Sequence, residues 1–512
     1  MNVNYPKQML ALGLSLWIGG SATVMAQQVT GVQVSVEQPS AAYPLPTGER
    51  WLEHASQGLA PYWMMDTAKG APIGNFPTFR CDDGSLPDVK QPCRELDQGW
   101  IRSNFDRDYT RMKSRQVYAY GVLYHMTGDP EALKLAKAGV DYLLSELRDR
   151  EHGGMISFRQ DGKAGLKWQQ RTSQDQAYAI VGLAFYYYLT RDPDVEKALI
   201  EQQAFIFDKY RDKATNQLLW VIEDGDEQYR TQQELVAQLD QINAYLLLVT
   251  PLLPEPYQKK WRDDLTWLTR EMVQQFHSKD EQRFFGAIHH PAVKMPDARH
   301  NDYGHTIKAY WMTYLVGRYL NQPDWAKLGK EGMNITLERA AYGIQNDQAK
   351  SLLSEGLYSQ WKDLQEIPTW RSGKYSWYIS SWQWAELDQA AYTLNMLKPG
   401  TKNKQLYYTL NQYFDVWVDH QYGGVGMNPK STKQFQWGNG YHQFEHALVG
   451  YLGSQAAYNK EARLYYALPF DYNGKLQPYY FYGERTKIEE GKQLEGFGGL
   501  HKVAVNYQNI RP

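Results

Sequence analysis

One pattern limits what this chain can become more than any other. Helical segments that are apolar on every face alternate with segments that carry one charged face. The run at 115–126 (RQVYAYGVLYHM) presents almost no polar side, and a Thr127-Gly128-Asp129-Pro130 turn ends it. The stretch behind it, 131–147 (EALKLAKAGVDYLLSEL), is amphipathic. The pair recurs at 175–189 (DQAYAIVGLAFYYYL), the Arg191-Asp192-Pro193 turn and 195–210 (VEKALIEQQAFIFDKY). Further apolar segments start near Asp240, at His305, near Trp382 and near His442. A helix that is apolar all round must be buried all round, and units repeating at this period stack into one shared core. An additional amphipathic helix at 49–59 precedes the first pair and supplies an outer partner for the sixth apolar helix. The chain therefore predicts an all-α (α/α)6 barrel over 48–466, with six inner and six outer helices. Short β-hairpin-like loops join them, as at 149–154 and 419–424.

In such a ring the inner helices run parallel, so their first residues meet at one end. Arg115, Asp175, Asp240, His305, Glu386 and His442 then face a common cavity. His305 follows a glycine at the start of its helix, within Asp302-Tyr303-Gly304-His305. Alone, it reads better as a capping or core histidine than as a functional one. The convergence of six polar helix starts makes the functional reading the better one. The positive end of the helix dipole should disfavour the imidazolium and keep the ring a neutral base.

The ends differ from this pattern. Lys7 precedes an apolar run from Met9 to Ile18, and Val24-Met25-Ala26 resembles a cleavage site, so residues 1–26 read as a secretory signal peptide. Residues 27–47 are a polar linker, and 467–512 an extended tail packed on the barrel as a plug or a cleft wall. The expectation is an exported protein, periplasmic or secreted, without a membrane span. Cys81 and Cys93, the only cysteines, should then be joined as a disulfide. With 55 basic against 57 acidic residues and a net charge of −2, a nucleic-acid partner is not expected. The oligomeric state is not legible. Aromatic residues make up 14% of the chain, and such rings stack on the apolar faces of sugars. His289, His290, His300 and His446 form no metal-binding spacing, and no nucleotide motif appears, so neither metal nor cofactor is expected.

Four short motifs carry a resemblance to the N-acylglucosamine 2-epimerase superfamily, which includes cellobiose 2-epimerases and aldose–ketose isomerases of the mannose type. They are Arg115-Gln116, Tyr303-Gly304-His305 with Trp311, Trp382-x-x-Ala385-Glu386, and Trp437 with Tyr441-His442. The resemblance runs from about Trp51 to Leu452. It implies deprotonation next to a sugar aldehyde through an enediol. His305 and His442 would be the acid/base pair, Arg115 would steady the enediolate oxygen, and Trp382 and Glu386 would hold the sugar. Asp175, Asp240, Asn243, Lys308, Tyr441 and Glu445 complete the expected binding set.

Three positions depart from the family pattern. Its Gly-His-x-x-Glu has Lys308 at the last place, its His-x-x-Glu reads Asp240-x-x-Asn243, and its arginine after the final histidine is Glu445. Lys308 is expected either to lower the proton affinity of His305 or, equally, to pair with Asp240 or Glu445 in a different mechanism. The alternative function is a polysaccharide lyase or glycoside hydrolase on the same barrel, with Asp175, Asp240, Glu386 and Glu445 as candidate carboxylates. A lyase would draw on His305, Tyr441, Arg115 and Lys308. A third reading is a non-catalytic glycan-binding protein.

Overall fold

The computed structural model describes residues 42–223, 233–286, 302–340, 380–427 and 440–512, with 300, 433 and the hairpin of Trp370–Arg371 with Lys374–Tyr375. The expected signal peptide, most of the linker, His289, His290 and Trp437 lie outside the described residues.

Outer helix α1 runs from Gly48–Glu53 through a π-helical turn, His54–Leu59, to Ala60–Trp63. Inner α2 (Thr110–Thr127) pairs with outer α3 (Pro130–Glu146). Inner α4 comes in two pieces, Ser173–Tyr178 and Val181–Thr190, and pairs with outer α5 (Pro193–Lys209). Inner α6 begins as Leu235–Gln241, takes a π-helical turn at Ile242–Leu246 and ends with Leu247–Val249. Its outer partner is α7 (Tyr257–Phe276). The remaining elements are α8 (Tyr303–Tyr319), α9 (Pro323–Ala340), α10 (Ser381–Leu397), α11 (Asn403–Gln412, prolonged by Tyr413–Trp417) and α12 (Tyr441–Ala457). Inner α12 packs against inner α2 and α10, closing the ring, and against α1 on its outer side. The expected barrel is the observed one.

The turns show why the pairs form. Gly128 adopts a left-handed φ of 69° just past α2, and the Asp129 side chain accepts from the amide of Glu131 at the start of α3. Pro130 fills the first helical position, where no amide donor is needed. Asp192 and Pro193 repeat that device before α5, with Arg191 in the left-handed role at φ 57°. Inner α2 is buried along nearly its whole length, whereas α3 buries only a stripe that includes Leu133, Ala136, Val140 and Leu143. Burying each such leucine stabilises the fold by about 1.5–3 kcal/mol. The stretch Leu235–Leu252, apolar and long enough to cross a membrane, is 94% buried as the inner helix α6 and its C-terminal turn.

The tail forms an antiparallel sheet of β1 (Ala462–Pro469), β2 (Tyr482–Gln493) and β3 (Leu500–Arg511), with β3 in the middle. The boundary expected at 466/467 falls inside β1. Tyr124, near the end of α2, donates to the Tyr466 carbonyl at 2.7 Å, and Tyr188 of α4 donates to the Gln477 carbonyl at 2.6 Å. The extension therefore plugs the barrel at the C-terminal ends of its inner helices. Cys81 and Cys93 are disulfide-bonded, with Cα atoms 6.0 Å apart.

Candidate active site

The expected polar residues form one continuous network at the other end of the barrel. His305 and His442, each in the first turn of its helix, are partly accessible, with side-chain exposures of 16% and 12%. Trp382, in the first turn of α10, lies between them, its ring 4.7 Å from that of His305 and 5.6 Å from that of His442. Gly304 makes this placement possible. A Cβ there would lie 2.7 Å from the Trp382 ring, so the glycine is required by close approach and not by its backbone angles.

Each histidine is held by a carboxylate. Asp302 caps α8, accepting from the His305 amide through Oδ1 at 3.0 Å, and meets the ring Nδ1 through Oδ2 at 2.7 Å. Gln383 braces Oδ1 at 3.2 Å. Burial works to lower the proton affinity of His305, but the Asp302 carboxylate outweighs it and raises the pKa above the usual histidine value. That corrects the expectation of a ring kept neutral by the helix dipole and Lys308. Lys308 does oppose protonation, but only as a minor contribution. Asp302 itself is held well below the usual carboxylate range.

His442 is the opposite case. Its Nδ1 lies 3.2 Å from Glu386 Oε1, the oxygen that also accepts from Lys308 Nζ at 2.9 Å. Burial dominates and brings His442 down to about 4, with Lys308 acting in the same direction. Glu386 is fully buried, which favours its neutral form, yet the Lys308 ammonium and His442 hold it at about 2. Burial lowers Lys308 as well, and Glu386 reverses that and raises it. Lys308 is thus committed to an ion pair with Glu386. One donor atom each of Glu386, His442 and Glu445 lie within 4.8 Å of one another, a spacing a cation could bridge. The Lys308 ammonium already occupies that electrostatic role.

The remaining expected residues join through Tyr441, which was expected, and through Tyr178, Arg111, Tyr479 and Tyr480, which sequence reasoning missed. Tyr178 donates to Asp240 Oδ1 at 3.0 Å, and the Arg115 guanidinium lies 3.8 Å from its ring centroid. Arg115 is also 5.4 Å from the Tyr441 ring, and Tyr441 donates to Asn243 Oδ1 at 3.3 Å. Asp175 pairs with Arg111 at 3.2 Å, one helical turn before Arg115. Arg111 escaped notice because α2 starts five residues earlier than its apolar pattern. Glu445 accepts from Tyr479 of the C-terminal extension at 2.5 Å, and Tyr480 donates to the Asn243 carbonyl at 2.8 Å. His300 stands 4.8 Å from the His305 ring and 3.2 Å from Glu234. Its neighbouring aspartate, Asp302, was the legible signal, since an Asp three residues before a helical His is an N-cap.

The class that fold and site define is an (α/α)6 barrel with two carboxylate-held histidines at one mouth. A family model for N-acylglucosamine 2-epimerase (GlcNAc 2-epimerase) matches residues 97–425. The chain belongs to that family. Among solved structures it is similar to the cellobiose 2-epimerase of Spirochaeta thermophila DSM 6192, with TM-score 0.60 and 15% identity over 80% of this chain and 96% of that one. The cellobiose 2-epimerase of Bacillus thermoamylovorans B4167 gives 0.59 and 14% over 79% and 98%, and a D-mannose isomerase 0.58 and 14% over 79% and 96%. No curated protein matches the sequence.

Proposed function

We propose that this chain is an exported sugar 2-epimerase or aldose–ketose isomerase that moves a proton at C2 of an open-chain, reducing-end sugar. The observation that carries this reading is a pair of partly accessible histidines, each against its own carboxylate, flanking one tryptophan. His442, at about 4, is neutral at working pH and serves as the base, while His305, raised by Asp302, serves as the acid. Groups whose surroundings push their pKa values apart mark acid and base roles. His442 takes the C2 proton, leaving an enediolate, and His305 returns a proton to C2 from the other side, or to C1 while the O2 proton passes to O1. Arg115 offers a fixed positive charge for the enediolate oxygen, and Trp382 a face for the sugar ring. Family membership supports the reaction class, and the amino-terminal stretch with Lys7 before the apolar run Met9 to Ile18, read as a signal peptide, supports export. The carboxylates that a hydrolase would need are otherwise engaged: Asp175 by Arg111, Asp240 by Tyr178, Glu386 by Lys308 and Glu445 by Tyr479.

The test is incubation with cellobiose, D-mannose and N-acetylglucosamine in D2O. Deuterium at C2 of recovered sugar is expected, with turnover falling at least ~100-fold in His305→Ala and in His442→Ala. A loss below tenfold in both overturns the assignment. Unsaturated chain ends or cleavage without deuterium uptake move the site to lyase or hydrolase chemistry.

A further inference from the structure

Two buried carboxylates stand beside His442, and the chemistry above uses only one. Glu386 and Glu445 are both fully buried, and among the described residues the cation against them is Lys308, bound to Glu386. Glu386 Oε1 accepts from Lys308 and meets His442, and its Oε2 accepts from Gln389 at 3.2 Å. Glu445 has much less. Its Oε1 accepts from Tyr479, and its Oε2 is buried without a hydrogen-bond partner among the described residues. The groups facing it are Glu386 and the Gln389 amide from α10, Lys308 from α8, Tyr118 from α2, Tyr441 on its own helix, and Tyr479 and Tyr480 from the extension. A second anion here would lie near Glu386, among phenols and with one oxygen unsatisfied. Like charges at that range do not both ionise in a dry site.

We propose that Glu445 is a positioning residue that works as a neutral carboxylic acid, held from below by Tyr479, so that Glu386 remains the single anion orienting Lys308 and His442. With Glu445 neutral, Lys308 stays on Glu386, and Glu386 fixes the Nδ1 side of His442 and leaves Nε2 for the sugar. Ionising Glu445 makes it compete for Lys308 and loosens that arrangement. Burial and the neighbouring Glu386 raise Glu445 to about 7, which puts the transition in an accessible range. The proposal rests on the acid–base reading above and gives the C-terminal extension a part in it.

The experiment compares full-length wild type with Glu445→Gln and Tyr479→Phe. Difference infrared spectroscopy of the wild type should show a protonated-carboxyl band that disappears above about pH 7 and is missing in Glu445→Gln. The His442 ring resonances should show an inflection at the same pH, absent in Glu445→Gln. In Tyr479→Phe, which removes the donor to the carboxylate, it should move up by about one pH unit. The wild-type kcat profile should share that inflection, and Glu445→Gln should lose it. A missing band, or an inflection that persists in Glu445→Gln, overturns the proposal. So does an unmoved midpoint in Tyr479→Phe, which also serves if Glu445→Gln does not fold. The infrared and resonance readouts need no substrate, so a failure of the C2 chemistry shows separately, as absent deuterium uptake with the band intact.

Discussion

Asp302→Asn separates two jobs that one side chain performs. Asparagine keeps an oxygen to cap α8 and to accept from Gln383, so the fold should tolerate it. What it removes is the negative charge on His305 Nδ1, 2.7 Å away in the native protein. At a charge separation of about 4 Å and an effective dielectric constant near 20, that attraction is worth about 4 kcal/mol, or about three pKa units. Both side chains are roughly 15% exposed, which screens part of it, leaving an expected fall of about one to two units. The amide nitrogen also donates where the carboxylate accepted, so the neutral ring must carry its proton on Nε2. At neutral pH the imidazolium population drops, and the acid is lost in proportion. The assay is a histidine NMR titration, with His305 assigned through its absence in His305→Gln, followed by the pH–rate profile.

Stability gives a second readout for the same variant. The folded pKa of His305 is raised, so the pair's contribution is fully present below the unfolded histidine value and disappears as pH rises through the folded one. Asp302 is depressed, so its contribution is present above the unfolded carboxylate value and is lost as pH falls through the folded one. The melting deficit of Asp302→Asn should therefore be largest between about pH 4 and 6.5 and shrink in alkali. An unchanged or raised His305 pKa in the variant would refute the reasoning.

Two other changes follow from the same geometry. Lys308→Met should leave the Glu386 carboxylate buried without its cation and cost about 3–5 kcal/mol, measured by denaturant unfolding. A cost below 1 kcal/mol would show that the pair is not holding Glu386. Gly304→Ala should push Trp382 off its seat between the histidines, raising KM at least several-fold with little change in melting temperature. Unchanged KM would remove Trp382 from sugar binding.

The barrel was legible because it rests on local rules: apolar periodicity, left-handed caps and Asp-Pro helix starts. The site was legible only where a residue type sits at a helix start. His305, His442 and Glu386 could be placed that way, and the structure joins them within hydrogen-bond or ring-contact range. What could not be read depends on contacts between distant segments. Tyr178 looked like one more apolar-helix tyrosine, yet it is the link between Asp240 and Arg115. Tyr479 and Tyr480 belong to a tail whose extended pattern gave no sign of reaching Glu445 and Asn243. Arg111 and Lys113, at the start of α2, precede the apolar run and drew no reading. Their pairing with Asp175 and Asp108 lets that first turn be buried. Protonation states are further out of reach, since they depend on the summed field of several helices.

The departures from the family pattern make sense as one exchange. The resemblance expects a carboxylate at 308 and an arginine at 445, and the chain has Lys308 and Glu445 in their places. Taken singly, each change puts a wrong charge in a buried cavity, and burying an uncompensated charge is among the costliest substitutions a core can receive. Taken together, the cation moves from α12 to α8 and the carboxylate moves the other way. Glu386 thus keeps a cationic neighbour, now Lys308 at 2.9 Å. The displaced carboxylate arrives beside Glu386, with Tyr479 as its donor, a position that favours the neutral acid over the anion. The C-terminal extension supplies that donor, so the exchange at 308 and 445 and the tyrosine pair at 479–480 form one unit. Restoring arginine at 445 alone should then be worse than leaving glutamate. It would set a second buried cation against the Lys308–Glu386 pair, with the Tyr479 hydroxyl pointing at it.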